Sequence, residues 1–206
     1  MNKIYATTAL TLVVAMLGGT AAYVMLNGQS GGEQNPCASS VVAGGDIGGA
    51  FELVSESGET VTDKDVITSP TLVYFGYTFC PDVCPLDSAR NAEALDLLEE
   101  RGIDANALFI SIDPERDTPE VVAEFTDVMH PKMIGLTGTQ AQVKAASQAY
   151  KTYYKKQAGD PEYYLVDHST FTYLVMPDTG FVEFFRRETT PEQIADSVAC
   201  YANAAK

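Results

Sequence analysis

Thr71-Leu72-Val73-Tyr74-Phe75-Gly76-Tyr77-Thr78-Phe79-Cys80-Pro81-Asp82-Val83-Cys84-Pro85 runs from an apolar segment into a corner bearing two cysteines. The first seven residues are uninterrupted and rich in β-favouring types. That is the pattern of a central strand buried on both faces. From Leu86 to Arg101, the residues Leu86, Ala89, Ala94, Leu97 and Leu98 fall near helical spacing, and Gly102 stops the run. Cys80 and Cys84 therefore sit between a strand and a helix. In α/β proteins, sites form at the carboxyl ends of parallel strands. A helix start there offers free N–H groups and a positive dipole end, which favour thiolate over thiol.

The flanking sequence supplies the rest of a layered fold. Phe51–Val54 and Thr60–Thr62 surround Ser57-Gly58, a hairpin signal. Ala107–Ile112 reads as a second buried strand, parallel to the first because a helix joins them. Thr118-Pro119-Glu120 opens a helix. Thr139 with Gln142 makes a capping box for another, reaching about Lys156. Tyr173–Met176 and Phe181–Phe185 form a late hairpin around Asp178-Thr179-Gly180. Thr190-Pro191-Glu192-Gln193 caps the last helix. This order predicts an α/β, thioredoxin-like fold, a central mixed sheet flanked by helices. Fold alone does not give function.

The N-terminus has a different character. Met1–Lys3 is followed by Ile4–Leu26, which carries no charge. As a helix it would span about 35 Å, enough for a hydrocarbon core of about 30 Å. Residues 1–26 are therefore read as a membrane anchor. Lys3 places the N-terminus inside and the domain outside. The small residues Gly18–Ala22 keep a cleaved signal peptide open as the other reading. Both readings export the domain. Residues 27–46, which begin NGQSGGEQNP, form a flexible linker, and 47–206 form the folded domain. With 28 acidic against 13 basic residues, the formal charge is −15. That balance and the lack of a basic run argue against nucleic acid as a partner.

Four cysteines in an exported chain suggest disulfides. Cys37 and Cys200 are the candidates, tying the start of the domain to its end; two unpaired thiols are the alternative. Cys80 and Cys84 differ from these. Thioredoxin-type reductases space their cysteines by two residues, whereas this pair has three. The wider loop lets two thiolates converge on an ion. Cu(I) favours thiolate and accepts imidazole. Zinc takes the same donors, but its structural sites normally want four. The chain has two histidines. His130, before Pro131, reads as an exposed or helix-capping residue. His168, in Val166-Asp167-His168-Ser169, enters the late strand, which in this layout faces the cysteines. It is the third candidate ligand. Asp167 is a candidate to orient it. Asp82 is either a solvated turn carboxylate or a tuner of the cysteines. Asp113 and Asp117 read as turn and capping residues. Tyr77 and Phe79 are expected to wall the site. The pairs Tyr153-Tyr154 and Tyr163-Tyr164 are expected to pack.

Three segments carry a resemblance: Tyr74-Phe75-Gly76-Tyr77-Thr78-Phe79-Cys80-Pro81-Asp82-Val83-Cys84-Pro85, Ser111-Ile112-Asp113-Pro114-Glu115-Arg116-Asp117-Thr118-Pro119, and Asp167-His168-Ser169. In this order they resemble the Sco/SenC family, over nearly all of the chain after the linker. The resemblance implies copper, Cu(I) or Cu(II), held by Cys80, Cys84 and His168. It implies delivery to the CuA centre of cytochrome c oxidase subunit II, and hence a copper donor protein upstream. It also implies a single-pass inner-membrane protein whose domain faces the periplasm or the mitochondrial intermembrane space. The competing reading is a thiol–disulfide oxidoreductase that uses Cys80 and Cys84 to reduce the CuA-site cysteines. A peroxidase would need one attacking cysteine with a resolving partner, which suits this pair and its histidine less well.

Overall fold

The computed structural model describes residues 13, 16–20, 23, 37, 47–160 and 162–204. Most of the expected anchor over 1–26 and linker over 27–46 lies outside the described residues. No helix among the described residues is long and apolar enough to cross a membrane. Residues 16–20 are helical and exposed. The folded unit runs from Cys37 to Lys206.

Nine strands and five helices are described in this unit. The strands are β1 (Glu52–Ser55), β2 (Thr60–Thr62), β3 (Thr71–Gly76), β4 (Asn106–Ser111), β5 (Met133–Thr137), β6 (Tyr154–Lys156), β7 (Val166–His168), β8 (Thr172–Met176) and β9 (Gly180–Phe185). The helices are α1 (Asp63–Val66), α2 (Val83–Glu100), α3 (Pro119–Met129), α4 (Gln140–Ala149) and α5 (Pro191–Ala204). Seven strands form one mixed sheet in the order β2-β1-β5-β4-β3-β8-β9. Its centre, β5-β4-β3, is parallel, and the outer pairings are antiparallel. Every residue of β3 is buried, as its unbroken apolar run requires. β6 and β7 pair antiparallel as a separate two-stranded ribbon.

Both expected hairpins form, and Gly58 supplies the positive φ (81°) at the first turn. The caps form as read. Thr118 Oγ1 accepts from Val121 N, the Thr139–Gln142 box closes, and Thr190 Oγ1 accepts from Gln193 N.

Two expectations are corrected. The helix that starts at Thr139 ends at Ala149, not near Lys156. Lys151 takes a left-handed φ of 54° and Thr152 N turns back to Ser147 O, after which the chain enters β6. In α2, Leu86 is 59 % exposed and Ala89 is exposed too. The buried face carries Cys84, Asp87, Ser88 and Asn91 with Ala92, Ala94, Leu95 and Leu98. Its first turns are polar because they have buried polar partners. Tyr74 Oη donates to Asp87 Oδ2 (3.0 Å), and Thr172 Oγ1 donates to Asn91 Oδ1 (3.1 Å).

Cys37 and Cys200 are bonded, with Cα atoms 5.5 Å apart and 163 residues of separation. Cys37 is buried, although it falls within the expected linker. The bond fastens the start of the folded unit to α5.

Candidate metal centre

Parallel β3 ends at Gly76, and Thr78–Asp82 turn into α2. β8 runs antiparallel to β3, pairing Thr172 with Tyr74. The residues just before β8 therefore arrive at the end of β3 where the cysteines sit. That topology brings His168 to them from 84 residues away. The ligand-type atoms of Cys80, Cys84 and His168 all lie within 4.8 Å of one another. Cys84 Sγ is 3.4 Å from His168 Nε2. Cys84 is fully buried, Cys80 is 8 % exposed and His168 is half-buried.

The helix start acts on sulfur as the sequence suggests. Cys84 lies in the first turn of α2, and its N–H donates to Cys80 Sγ (3.5 Å). The two sulfurs share one proton unequally. The hydrogen bond from the Cys84 thiol draws the Cys80 pKa down to about 4. The backbone N–H groups of Cys84 and Asp82 assist, and burial opposes. The same contact, with burial, pushes the Cys84 thiol up. Burial also raises the Tyr74 hydroxyl, and raises Tyr77 to about 12.

The imidazole is held in one tautomer. Its Nδ1 lies 2.8 Å from Ser169 O, a carbonyl that only accepts, so Nδ1 carries the proton. Nε2 then turns its lone pair toward Cys84 Sγ. Tyr77 and Tyr74 meet the ring edge-on at 5.8 and 6.3 Å. Asp167 does not orient the histidine as expected. It is exposed and accepts from Gln157 Nε2 (2.6 Å), because alternate strand residues point to opposite faces.

The remaining expectations divide. Asp82 is exposed at the α2 N-cap and makes no side-chain capping bond. Tyr77 walls the site, but Phe79 is 53 % exposed. Tyr153 and Tyr163 are exposed rather than packed, whereas Tyr164 is buried. His130 is buried at the α3 C-cap, where Nδ1 accepts from Lys132 N (3.0 Å) and Nε2 faces Asp96 (3.3 Å). Asp117 is fully buried. It accepts from Thr78 N (3.0 Å), Thr78 Oγ1 (2.6 Å) and Ser111 Oγ (2.6 Å).

Sequence reasoning gave no role to Gly76. A Cβ there would lie 2.8 Å from the Tyr74 ring, 2.9 Å from the Phe109 ring and 3.0 Å from Cys84 Sγ. Only glycine lets Cys84 tuck against the strand end. Gly76→Ala should lower the stability of the reduced protein by about 1–3 kcal/mol, the usual cost of overpacking. A urea midpoint equal to wild type would refute the close approach.

A thioredoxin-like sheet with two sulfurs and one imidazole clustered at its strand–helix corner defines a class of thiol-based, metal-capable proteins. The chain belongs to the SCO1/SenC family, whose model matches residues 41–203. Protein SenC of Rhodobacter capsulatus is 61 % identical over 163 residues, covering 79 % of this chain and 73 % of that protein. The crystal structure of Arabidopsis thaliana ScoI with copper bound aligns with a TM-score of 0.73 at 38 % identity. That match covers 78 % of this chain and 99 % of the chain in that crystal structure. BsSco is described as having a disulfide switch and as a member of the Sco family of cytochrome c oxidase assembly proteins. It aligns with a TM-score of 0.57 at 25 % identity, over 74 % of this chain and 91 % of its own.

Proposed function

We propose that this protein is a copper carrier that binds one ion through Cys80 Sγ, Cys84 Sγ and His168 Nε2 and helps metallate the CuA site of cytochrome c oxidase subunit II. The observation that carries the reading is the convergence of those three donor atoms within 4.8 Å. Two soft sulfurs and a neutral imidazole suit Cu(I). Copper in the ScoI relative and the oxidase-assembly description of BsSco support the same reading. A copper donor protein must load the site. Residues 1–26 anchor the chain in the inner membrane, with the domain in the periplasm or intermembrane space. The Cys37–Cys200 bond favours such an oxidising compartment.

The test is copper stoichiometry and X-ray absorption on the reduced, Cu(I)-loaded chain. One ion with two sulfur neighbours and one nitrogen is expected. His168→Ala should lose the nitrogen and bind more weakly. Undiminished affinity in that variant would remove His168 from the site. A second reading, reduction of the CuA-site cysteines, is favoured by the unequal proton sharing between two unbridged cysteines. It predicts disulfide exchange that survives His168→Ala.

A further inference from the structure

His168 ends a ribbon that belongs to no larger sheet. An isolated two-stranded ribbon is marginal in water, so its docking decides where the imidazole stands. Val166 N donates to Tyr77 Oη (3.3 Å), and the loop between β4 and α3 adds further docking. Tyr164 Oη donates to Asp113 Oδ1 (2.6 Å), and Lys156 Nζ donates to Glu115 Oε2 (2.8 Å). The Arg116 guanidinium lies 3.6 Å from the centre of the Tyr164 ring, and its Nη1 donates to Glu162 O (3.5 Å). Lys156 Nζ lies 3.7 Å from the same ring. The three loop residues thus hold one end of the ribbon, at Lys156 of β6 and at Glu162 and Tyr164 just before β7.

Arg116 also reaches the other half of the site. Its guanidinium is 4.7 Å from the Phe79 ring and 5.8 Å from the Tyr77 ring. Phe79 precedes Cys80. The Arg116 side chain is 14 % exposed, and its Nε is fixed by Asp113 Oδ2 at 2.6 Å. Nη2 is buried with no hydrogen-bond partner. The flat group is held by the Asp113 ion pair and by the rings it lies against, a combination of planar stacking and directed N–H bonds that a lysine cannot reproduce. One cation joins the segment before Cys80 to the segment before His168.

We propose that Arg116 is a positioning residue that latches the His168 ribbon to the Cys80 corner and thereby sets metal affinity through the histidine. The proposal rests on the copper-site reading for its second clause only. An imidazole already held beside two sulfurs binds with little ordering cost, and a loosened ribbon adds that cost to every binding event.

The test uses the full chain, reduced, as wild type, Arg116→Gln and Arg116→Lys. Without metal, amide hydrogen exchange at Val166, Asp167 and His168 should accelerate in Arg116→Gln while β3 and β4 keep their wild-type rates. With Cu(I), affinity should fall about 10–100-fold, the usual scale for residues that orient ligands. X-ray absorption should show both sulfurs retained and the nitrogen weakened. Arg116→Lys should recover only a minor part of either loss. Unchanged ribbon exchange in Arg116→Gln overturns the latch, whatever the copper data show. Faster ribbon exchange, with no nitrogen at copper even in wild type, keeps the latch and rejects the copper-site reading. If Arg116→Gln does not fold, Tyr164→Leu removes the ring that the Arg116 guanidinium covers. A smaller rise confined to the same three amides supports the latch, and no rise overturns it.

Discussion

Alkylation of Cys80 in the reduced, metal-free protein should be nearly independent of pH from about 5.5 to 8 and should fall away only near pH 4. An ordinary thiol with a pKa of about 8.5 behaves otherwise. Its thiolate fraction rises roughly tenfold per pH unit, several hundredfold over that span. The difference follows from the corner geometry. The Cys84 thiol donates to Cys80, and the α2 N–H groups complete the stabilisation of negative charge. The rate per thiolate is lower than for an ordinary thiol, because nucleophilicity falls with pKa. The signature is thus the flat profile and not a high rate. Cys84 should stay unmodified, being fully buried and the proton donor of the pair. Site-resolved mass spectrometry reads both. A Cys80 rate that climbs tenfold per unit through neutrality would show that the sulfurs do not share a proton this way.

The same asymmetry fixes the sign of the stability change. Cys80 has a folded-state pKa below its unfolded value. Its contribution is full above about pH 8.5 and is lost as pH falls toward the folded value. Cys84 acts oppositely, since its thiol is raised, and its contribution is lost as pH rises through its folded value. Between the two, the pair carries one proton and one charge. Thiolate ligation of a copper ion would require the Cys84 thiol to give up its proton, whereas the Cys80 corner already favours thiolate.

How much of this was legible depended on whether the information was local. β3 and β4 announced themselves because central parallel strands have no polar face to hide. Caps at Thr118, Thr139 and Thr190 were legible because three or four residues complete each one. The metal candidates were legible because soft donors are scarce and their order matched a known family. The buried face of α2 was not. Periodicity weighs Leu86 as core, but this helix spends its first turns on Asp87 and Asn91, whose partners Tyr74 and Thr172 lie on two different strands. The polar series Asp87, Ser88 and Asn91 recurs on the Cys84 face at helical spacing, and that was the available signal. The ribbon was missed for a related reason. Three-residue strands have too few alternations to show a period, and Lys155-Lys156 continues a helical-looking tail. Adjacency makes Asp167 a candidate to orient His168, but alternation in a strand sends neighbours apart.

Asp117→Ala should cost about 3 kcal/mol or more, a large share of a domain's stability. The sequence suggests a capping carboxylate, yet the structure makes it the hub of the cysteine corner. Its two side-chain oxygens accept from Thr78 N, Thr78 Oγ1 and Ser111 Oγ, and its carbonyl accepts from Thr137 Oγ1. Thr78 stands two residues before Cys80. Alanine would strand three donors around a fully buried position, each at about 1–3 kcal/mol when left unsatisfied, with some relief by rotation of the hydroxyls. Asparagine keeps one acceptor oxygen and should lose roughly half as much. Burial raises the Asp117 carboxyl, so ionisation costs the folded state, and the side chain's stabilising contribution is fully present below its unfolded pKa and declines as pH rises. The deficit of the alanine variant is therefore larger at about pH 4 than at about pH 7. Urea unfolding at both values measures it. Equal midpoints for wild type and Asp117→Ala would show that the three bonds stabilise nothing, and that the corner is held by β3 and α2 alone.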